Sequence, residues 1–291
     1  MADPAGLPSA STFSEDLRGE LEGCWRTGEL ADVLLQPRDG DPVPAHRLVL
    51  SARCAHFSEV LRGGGSAAGG SAAGTKLAVD AERDVLLATL EYLYVDSLPT
   101  DAGASFLLRL RAQAQEWRLE QLDRRCAVSV AALLDADSVC DALRECAREE
   151  ARARLALLEP PPSTVWLKAA CGDYAAAHYD AVAASESFGG LQPSLHVWIF
   201  SRRSTHPLHL FARGQTFMEP LELLRALLAP PYSADLNARA DADADADAGA
   251  GSDADADAGS EEGGCAGRTP LQVAIGRREW TLAQLLLDAG A

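Results

Sequence analysis

Residues 30–62, LADVLLQPRDGDPVPAHRLVLSARCAHFSEVLR, constrain the fold more than any other stretch of this chain. Val33, Leu34 and Leu35 form an apolar run of the length of a short buried strand, and Asp39-Gly40-Asp41-Pro42 is a turn cluster. Val43 begins a return strand, so the pattern predicts a hairpin. Leu48, Val49 and Leu50 then continue the apolar run, and Ala52, Ala55, Phe57, Val60 and Leu61 recur at spacings that place them on one side of a helix. A hairpin feeding a half-buried helix opens an α+β domain, and nothing in it carries catalytic chemistry.

The chain has 291 residues, enough for two or three domains, with 47% hydrophobic and 24% charged residues. Its formal net charge is −17, but Asp241 to Glu262 holds seven Asp and two Glu with no Lys or Arg. Removing those nine carboxylates leaves −8, a mild excess that argues weakly against a nucleic-acid partner. Seven cysteines, at 24, 54, 126, 140, 146, 171 and 265, make an odd count without a CxxC pair, which fits a reducing compartment. The N-terminus MADPAGLPSAST lacks the basic and apolar segments of a signal peptide. No run approaches the roughly 18 apolar residues that span a bilayer, so the expectation is a cytoplasmic protein without direct membrane insertion.

Residues 1–12 are expected to be disordered. Phe13, Leu17, Leu21, Cys24 and Trp25 then mark an amphipathic helix ending near Gly28, whose narrow apolar stripe needs a partner. GGGSAAGGSAAG, residues 63–74, has the composition of a flexible insertion. A strand is predicted at Lys76 to Val79 and a helix from Ala81 to Tyr94, its face made by Val85, Leu86, Leu90, Leu93 and Tyr94. One further helix is predicted from Phe106 to Val130, with Leu107, Leu110, Ala114, Trp117, Leu122, Cys126 and Val130 inward. Helical patterns then run to about Leu158, break at Pro160-Pro161-Pro162, resume from Val165 to about His178, and continue from Tyr179 to Phe200 with a turn at Gly189-Gly190.

From residue 204 the order turn, helix, helix, return loop occurs twice, in THPLHLFARG with PLELLRALLAP, and in GRTPLQVAIGRREWTLAQLLLDAGA. That is the order of an ankyrin repeat. Leu208 and Leu271 lie 63 residues apart, against a usual period of about 33. The acidic Asp-Ala tract at 240–266 accounts for most of the excess and lengthens a loop at small entropic cost. The last helix keeps an apolar packing face, which suggests part of a longer product.

By Arg62 the residues resemble the BTB/POZ family: Asp32-Val33 on the first strand, Pro44-Ala45-His46-Arg47 entering the helix, Ser51-Ala52-Arg53, and Phe57. EYLYVDSL and the helix from Leu119 to Cys126 extend the likeness to about residue 132. The resemblance implies an α+β BTB/POZ domain over 13–132 that homodimerises. Its interface would include Phe13, Leu17, Leu21, Trp25, Asp32 and Arg47, the last two near a charged pocket. Residues 133–203, especially CGDYAAAHYDAVAASESFGGLQPSLHVWI, resemble the all-α, BACK-like extension that follows many BTB domains. Residues 204–291 resemble an α-helical ankyrin solenoid fragment, with turn motifs at Thr205, Pro207, Leu208, His209, Gly267, Thr269, Pro270 and Leu271.

This order is similar to that of the rabankyrin family, ankyrin and FYVE-domain effectors of an early-endosomal Rab GTPase. It implies a scaffold recruited to endosomes with a Rab GTPase as partner, although the long repeat array and the lipid-reading finger of that family are not in this sequence. A plant defence coregulator family shares the order but has a cysteine-rich BTB segment not found here. The alternative is a substrate adaptor for a cullin ubiquitin ligase. Such adaptors carry a hydrophobic-x-Glu motif after the Phe57 helix, whereas Gly63 to Thr75 contains no Glu.

Chemistry-bearing patterns are sparse. Asp32, His46 and Arg47 leave two readings open: a functional polar cluster, or a satisfied core histidine that fixes the helix start beside an Asp32–Arg47 charge pair that sets register at an apolar interface. His206, His209 and Cys265 match no zinc spacing, and a His after Pro-Leu in such a turn makes a structural hydrogen bond. Cys140 and Cys146 are six apart, on different helix faces. GxSxG, HExxH and GxxxxGK[ST] are absent, and the Asp-Ala tract lacks the geometry of a calcium loop. The expectation is therefore a non-enzymatic protein without catalytic, cofactor or metal residues.

Overall fold

The computed structural model describes residues 10–63, 75–203, 207–214, 219–239 and 267–291, with side chains from residue 16 onward. The disorder expected at 1–9, the 64–74 insertion, the 240–266 tract, Thr205, His206 and Cys265 lie outside these residues, as does the Phe13 side chain.

The predicted hairpin forms from β1 (Val33–Gln36) and β2 (Val43–Ala45), antiparallel with Leu34 opposite Pro44. β3 (Thr75–Ala78) joins the other side of β1 in parallel, giving the order β2-β1-β3. Strand alternation corrects the apolar run: Val33 and Leu35 are fully buried, but Leu34 points to the outer face and is 36% exposed.

The single helix predicted after the hairpin is two, α2 (Arg47–Arg53) and α3 (Ala55–Gly63). Cys54 between them is extended, and its thiol donates to the Trp117 carbonyl at 3.5 Å. This break turns Phe57 and Leu61 into the core and leaves Leu48, Ala52 and Ala55 exposed, contrary to the helical spacing. The helix predicted from Phe106 to Val130 is likewise two, α5 (Ala104–Glu116) and α6 (Glu120–Ala132). Arg118 sits at φ +57 between them. Buried Trp117, packed edge-to-face on Phe57 at 4.8 Å, holds that unfavourable backbone in place. All seven residues predicted inward on this stretch are buried.

α1 (Ala10–Thr27) begins inside the stretch expected to be disordered and ends at Gly28, φ +71. It packs on α4 (Arg83–Val95). The core of this part is made by Leu35, Leu50, Phe57, Leu86, Leu90 and Trp117.

Next come α7 (Ser138–Leu155), α8 (Pro162–Ala177), α9 (Tyr179–Ala183), α10 (Glu186–Gly189) and α11 (Pro193–Arg202). α8 starts at Pro162 rather than Val165, because proline at the first helical position has a suitable φ and no N–H to leave unpaired. The run from Tyr179 breaks at the predicted Gly189-Gly190 turn, between α10 and α11, and once more between α9 and α10. The two helix pairs expected from residue 204 are α12 (Pro207–Ala212) with α13 (Pro220–Leu228), and α14 (Pro270–Gly276) with α15 (Trp280–Asp288). α12 packs on α14 and α13 on α15, over a core of Phe200, Leu208, Phe211, Leu223, Leu227 and Leu286. Thr269 and Gln272 form a capping box at the start of α14, and the buried His209 ring lies 2.8 Å from the Arg268 carbonyl through Nε2.

The chain divides into two units: Met1–Leu134 with Glu149–Leu167, and Asp135–Arg148 with Lys168–Ala291. Glu149–Leu167 therefore goes with the first unit, although the sequence placed it in an extension beginning at 133.

Candidate interaction surface

α1 lies on α4 through its second half. Leu21 and Trp25 pack against the core, and Trp25 stacks on Tyr94 with ring centroids 5.4 Å apart. Leu17, one turn earlier, is 49% exposed. At its end α1 reaches the outer face of the sheet, where a Cβ on Gly28 would stand 3.2 Å from Pro44. Pro44 is the cross-strand partner of the exposed Leu34. Leu48, 80% exposed in the first turn of α2, adds to the apolar surface of the unit.

Tyr94 ties these elements together. Its hydroxyl accepts from the His46 backbone N–H at 2.8 Å and lies 2.8 Å from His46 Nδ1, while Nε2 lies 2.7 Å from the Glu29 carbonyl. The tautomer with its proton on Nε2 satisfies every partner: Nε2–H donates to Glu29 and Nδ1 accepts from the tyrosine O–H. Burial pushes the Tyr94 hydroxyl up to about 12, so it stays protonated and able to donate. His46 is thus the structural histidine expected, placed just before α2.

Asp32 and Arg47 come together, but through the backbone. Asp32 Oδ1 accepts from the Arg47 N–H at 2.7 Å, and the Arg47 guanidinium donates to Thr75 Oγ1 at 3.0 Å. The N-cap residue His46 offers α2 no side-chain cap, so Asp32, the residue just before β1, does so. Asp32 is exposed and Arg47 half-buried.

Sequence reasoning missed a buried polar cluster. Arg111 on α5 is fully buried. Its Nε lies 2.9 Å from Asp123 Oδ1, Nη1 donates to Glu149 Oε1 at 2.7 Å, and Nη2 donates to Thr164 Oγ1 at 2.7 Å. Thr164 donates onward to Glu149, and Ser163 to Asp123. All five residues belong to the first unit, and the cluster joins α5 and α6 to the end of α7 and the start of α8.

Cys54, Cys126, Cys140, Cys146 and Cys171 are buried as small hydrophobes, and Cys24 is half-buried. Burial pushes the Cys126 thiol up to about 12, with Asp123 adding to it, and raises Cys54 and Cys140 as well, which keeps the unreactive thiol form. Of the turn residues that the sequence resemblance to ankyrin repeats picked out, Leu208, His209 and Pro270 are buried, Pro207, Thr269 and Leu271 half-buried, and Gly267 takes φ +72. Among the described residues no group of three or more His, Cys, Asp or Glu is placed to hold a metal ion, and no helix is long and apolar enough to cross a membrane.

The family model of the BTB/POZ domain matches residues 21–133. A BTB/POZ domain-containing protein of Arabidopsis thaliana is 32% identical over 114 residues, which is 39% of this chain and 40% of that relative's length. Among solved structures, the BTB domain of zebrafish PATZ1 aligns with TM-score 0.36 and 19% identity over 43% of this chain and 98% of that one. The BTB domain of human gigaxonin aligns with TM-score 0.33 and 16% identity over 43% of this chain and 97% of that one.

Proposed function

We propose, from the BTB/POZ domain that occupies residues 21–133, that this chain is a non-enzymatic scaffold that pairs two copies and offers a protein partner the surface of α12 to α15. BTB/POZ domains are interaction modules, and the observation that carries the pairing is the exposed apolar surface of α1, β1 and α2 at Leu17, Leu34 and Leu48. Pairing doubles the helix-pair surface and raises its effective concentration toward a multivalent partner.

Light scattering on the full chain at tens of micromolar is expected to show association. Leu17→Asp combined with Leu34→Lys sets two unpaired charges in the contact and should weaken it at least about tenfold, or about 1.4 kcal/mol. Both sites are partly solvent-exposed, so the far-UV circular dichroism and melting curve should be preserved. A strictly monomeric wild-type chain would rule the pairing out.

The finer reading follows the order of the segments. Residues 133–203 act as a BACK-like spacer, and 204–291, as two ankyrin-type repeats, bind a GTP-loaded endosomal Rab that recruits the scaffold from the cytoplasm to endosomes. The twice-repeated helix pair and its Thr269 capping box support it. A paired capture experiment separates it from the cullin-adaptor role: nucleotide-dependent binding of the Rab favours the scaffold, and retention of the cullin N-terminal domain favours the adaptor.

A further inference from the structure

α15 carries an apolar stripe that the helix packing of its unit leaves uncovered. Leu282, Ala283 and Leu286 bury one side of the helix against α13 and α14. Trp280 and Leu287, seven residues apart and hence on one face, are 64% and 49% exposed. Exposed Gln284 lies between them on the same face. Exposed Arg277 and Arg278 stand just before the N-cap residue Glu279, a net charge of +1 at the start of the helix, and Asp288 ends it. The charge order along the helix is therefore basic, apolar, polar, apolar, acidic.

We infer that this face docks a second copy of the same chain, α15 against α15 in antiparallel two-fold contact. The stripe is complementary to its own reverse, which is what an isologous interface requires. With the axis at Gln284, each Trp280 covers the partner copy's equivalent of Leu287, roughly 10 Å along the helix from its own. Each basic start meets an acidic end, where the negative pole of the helix dipole adds to Asp288. The two Gln284 amides meet at the axis; each gives one Nε2 hydrogen to its own Asp288 at 2.9 Å and keeps the second hydrogen and its carbonyl for the other copy. Glu279 does not disturb this order, because its carboxylate is turned to its own chain, 3.2 Å from where a Cβ on Gly214 would stand.

This contact is separate from the α1 pairing proposed above, and light scattering on four full-length proteins distinguishes them. Trp280→Asp tests α15, Leu17→Asp with Leu34→Lys tests α1, and the other two are the wild type and the combination. A dimer that survives the α1 changes and becomes monomeric when Trp280→Asp is added supports the inference. A chain that is already monomeric after the α1 changes alone overturns it, as does a wild-type mass unchanged by Trp280→Asp. If Trp280→Asp perturbs folding, the charge order gives an independent test. In the α1-changed background, Asp288→Arg should weaken association about tenfold, and adding Arg277→Asp with Arg278→Asp should restore it. Failure of that restoration overturns the antiparallel self-contact and leaves α15 to a different partner.

Discussion

Replacing Arg111 with leucine lowers the unfolding free energy by about 3–5 kcal/mol, because two buried carboxylates lose the cation that compensates them. Asp123 and Glu149 are nearly as inaccessible as the arginine itself, at 8% and 3% side-chain exposure, so water cannot take its place. The hydroxyls of Thr164 and Ser163 remain as donors, yet a hydroxyl supplies a partial charge where a full one was. Equilibrium urea unfolding followed by circular dichroism measures the loss, and a change below about 1 kcal/mol would show the carboxylates to be compensated otherwise. Exchanging all three charged groups for apolar residues of similar volume should recover most of the loss, since a buried ion cluster seldom outweighs its own desolvation. The cluster also sets where the first unit can be cut. A fragment ending at residue 132 lacks Glu149, Ser163 and Thr164 and opens Arg111 to solvent, whereas one ending at residue 167 keeps the cluster whole.

This cluster also shows why part of the molecule was not legible in its sequence. The hairpin, the third strand and the inward residues of α5 and α6 follow from patterns within a dozen residues, and those expectations match the structure. Arg111 and Asp123 look on a single sequence like the solvated side of a helix, because Glu149 and Thr164 lie 38 and 53 residues beyond the arginine. The breaks at Cys54 and Arg118 carry no glycine or proline. They exist because Trp117 is drawn into the core and fixes both chains that meet it, an event of tertiary packing that periodicity does not encode. Asp32 and Arg47 were legible as a pair and illegible as a cap, since nothing local reveals that the partner of the carboxylate is a backbone N–H. Leu17, read as one of the interface residues, does remain exposed on α1, but Trp25 is engaged with Tyr94 of its own chain.

Tyr94→Ala is expected to cost about 3–5 kcal/mol, the range for removing a buried aromatic ring, and to release α1. The ring is the platform for Trp25, and its hydroxyl is the partner of the His46 N–H at the entry to α2. Tyr94→Phe separates the two roles. It keeps the stack and leaves the half-buried His46 N–H without its acceptor, for a loss of about 1 kcal/mol. Hydrogen exchange should then show α1 protected in the phenylalanine variant and open in the alanine variant, and only the latter should weaken pairing through Leu17. The hydroxyl also predicts an alkaline signature. Its folded value of about 12 exceeds the ordinary tyrosine value of 10.0, so the native state holds this proton more tightly than the unfolded chain does. The stabilisation is complete below pH 10 and is lost as pH rises toward 12. Tyr92, Tyr179, Tyr232 and the buried thiols are raised as well and titrate in overlapping ranges, so the wild-type curve alone does not isolate Tyr94. The difference between wild type and Tyr94→Phe does isolate it: the stability gap should narrow above pH 10. A gap that stays constant to pH 12 would mean that the hydroxyl is not shielded from water, and with it that α1 is not held closed over α4.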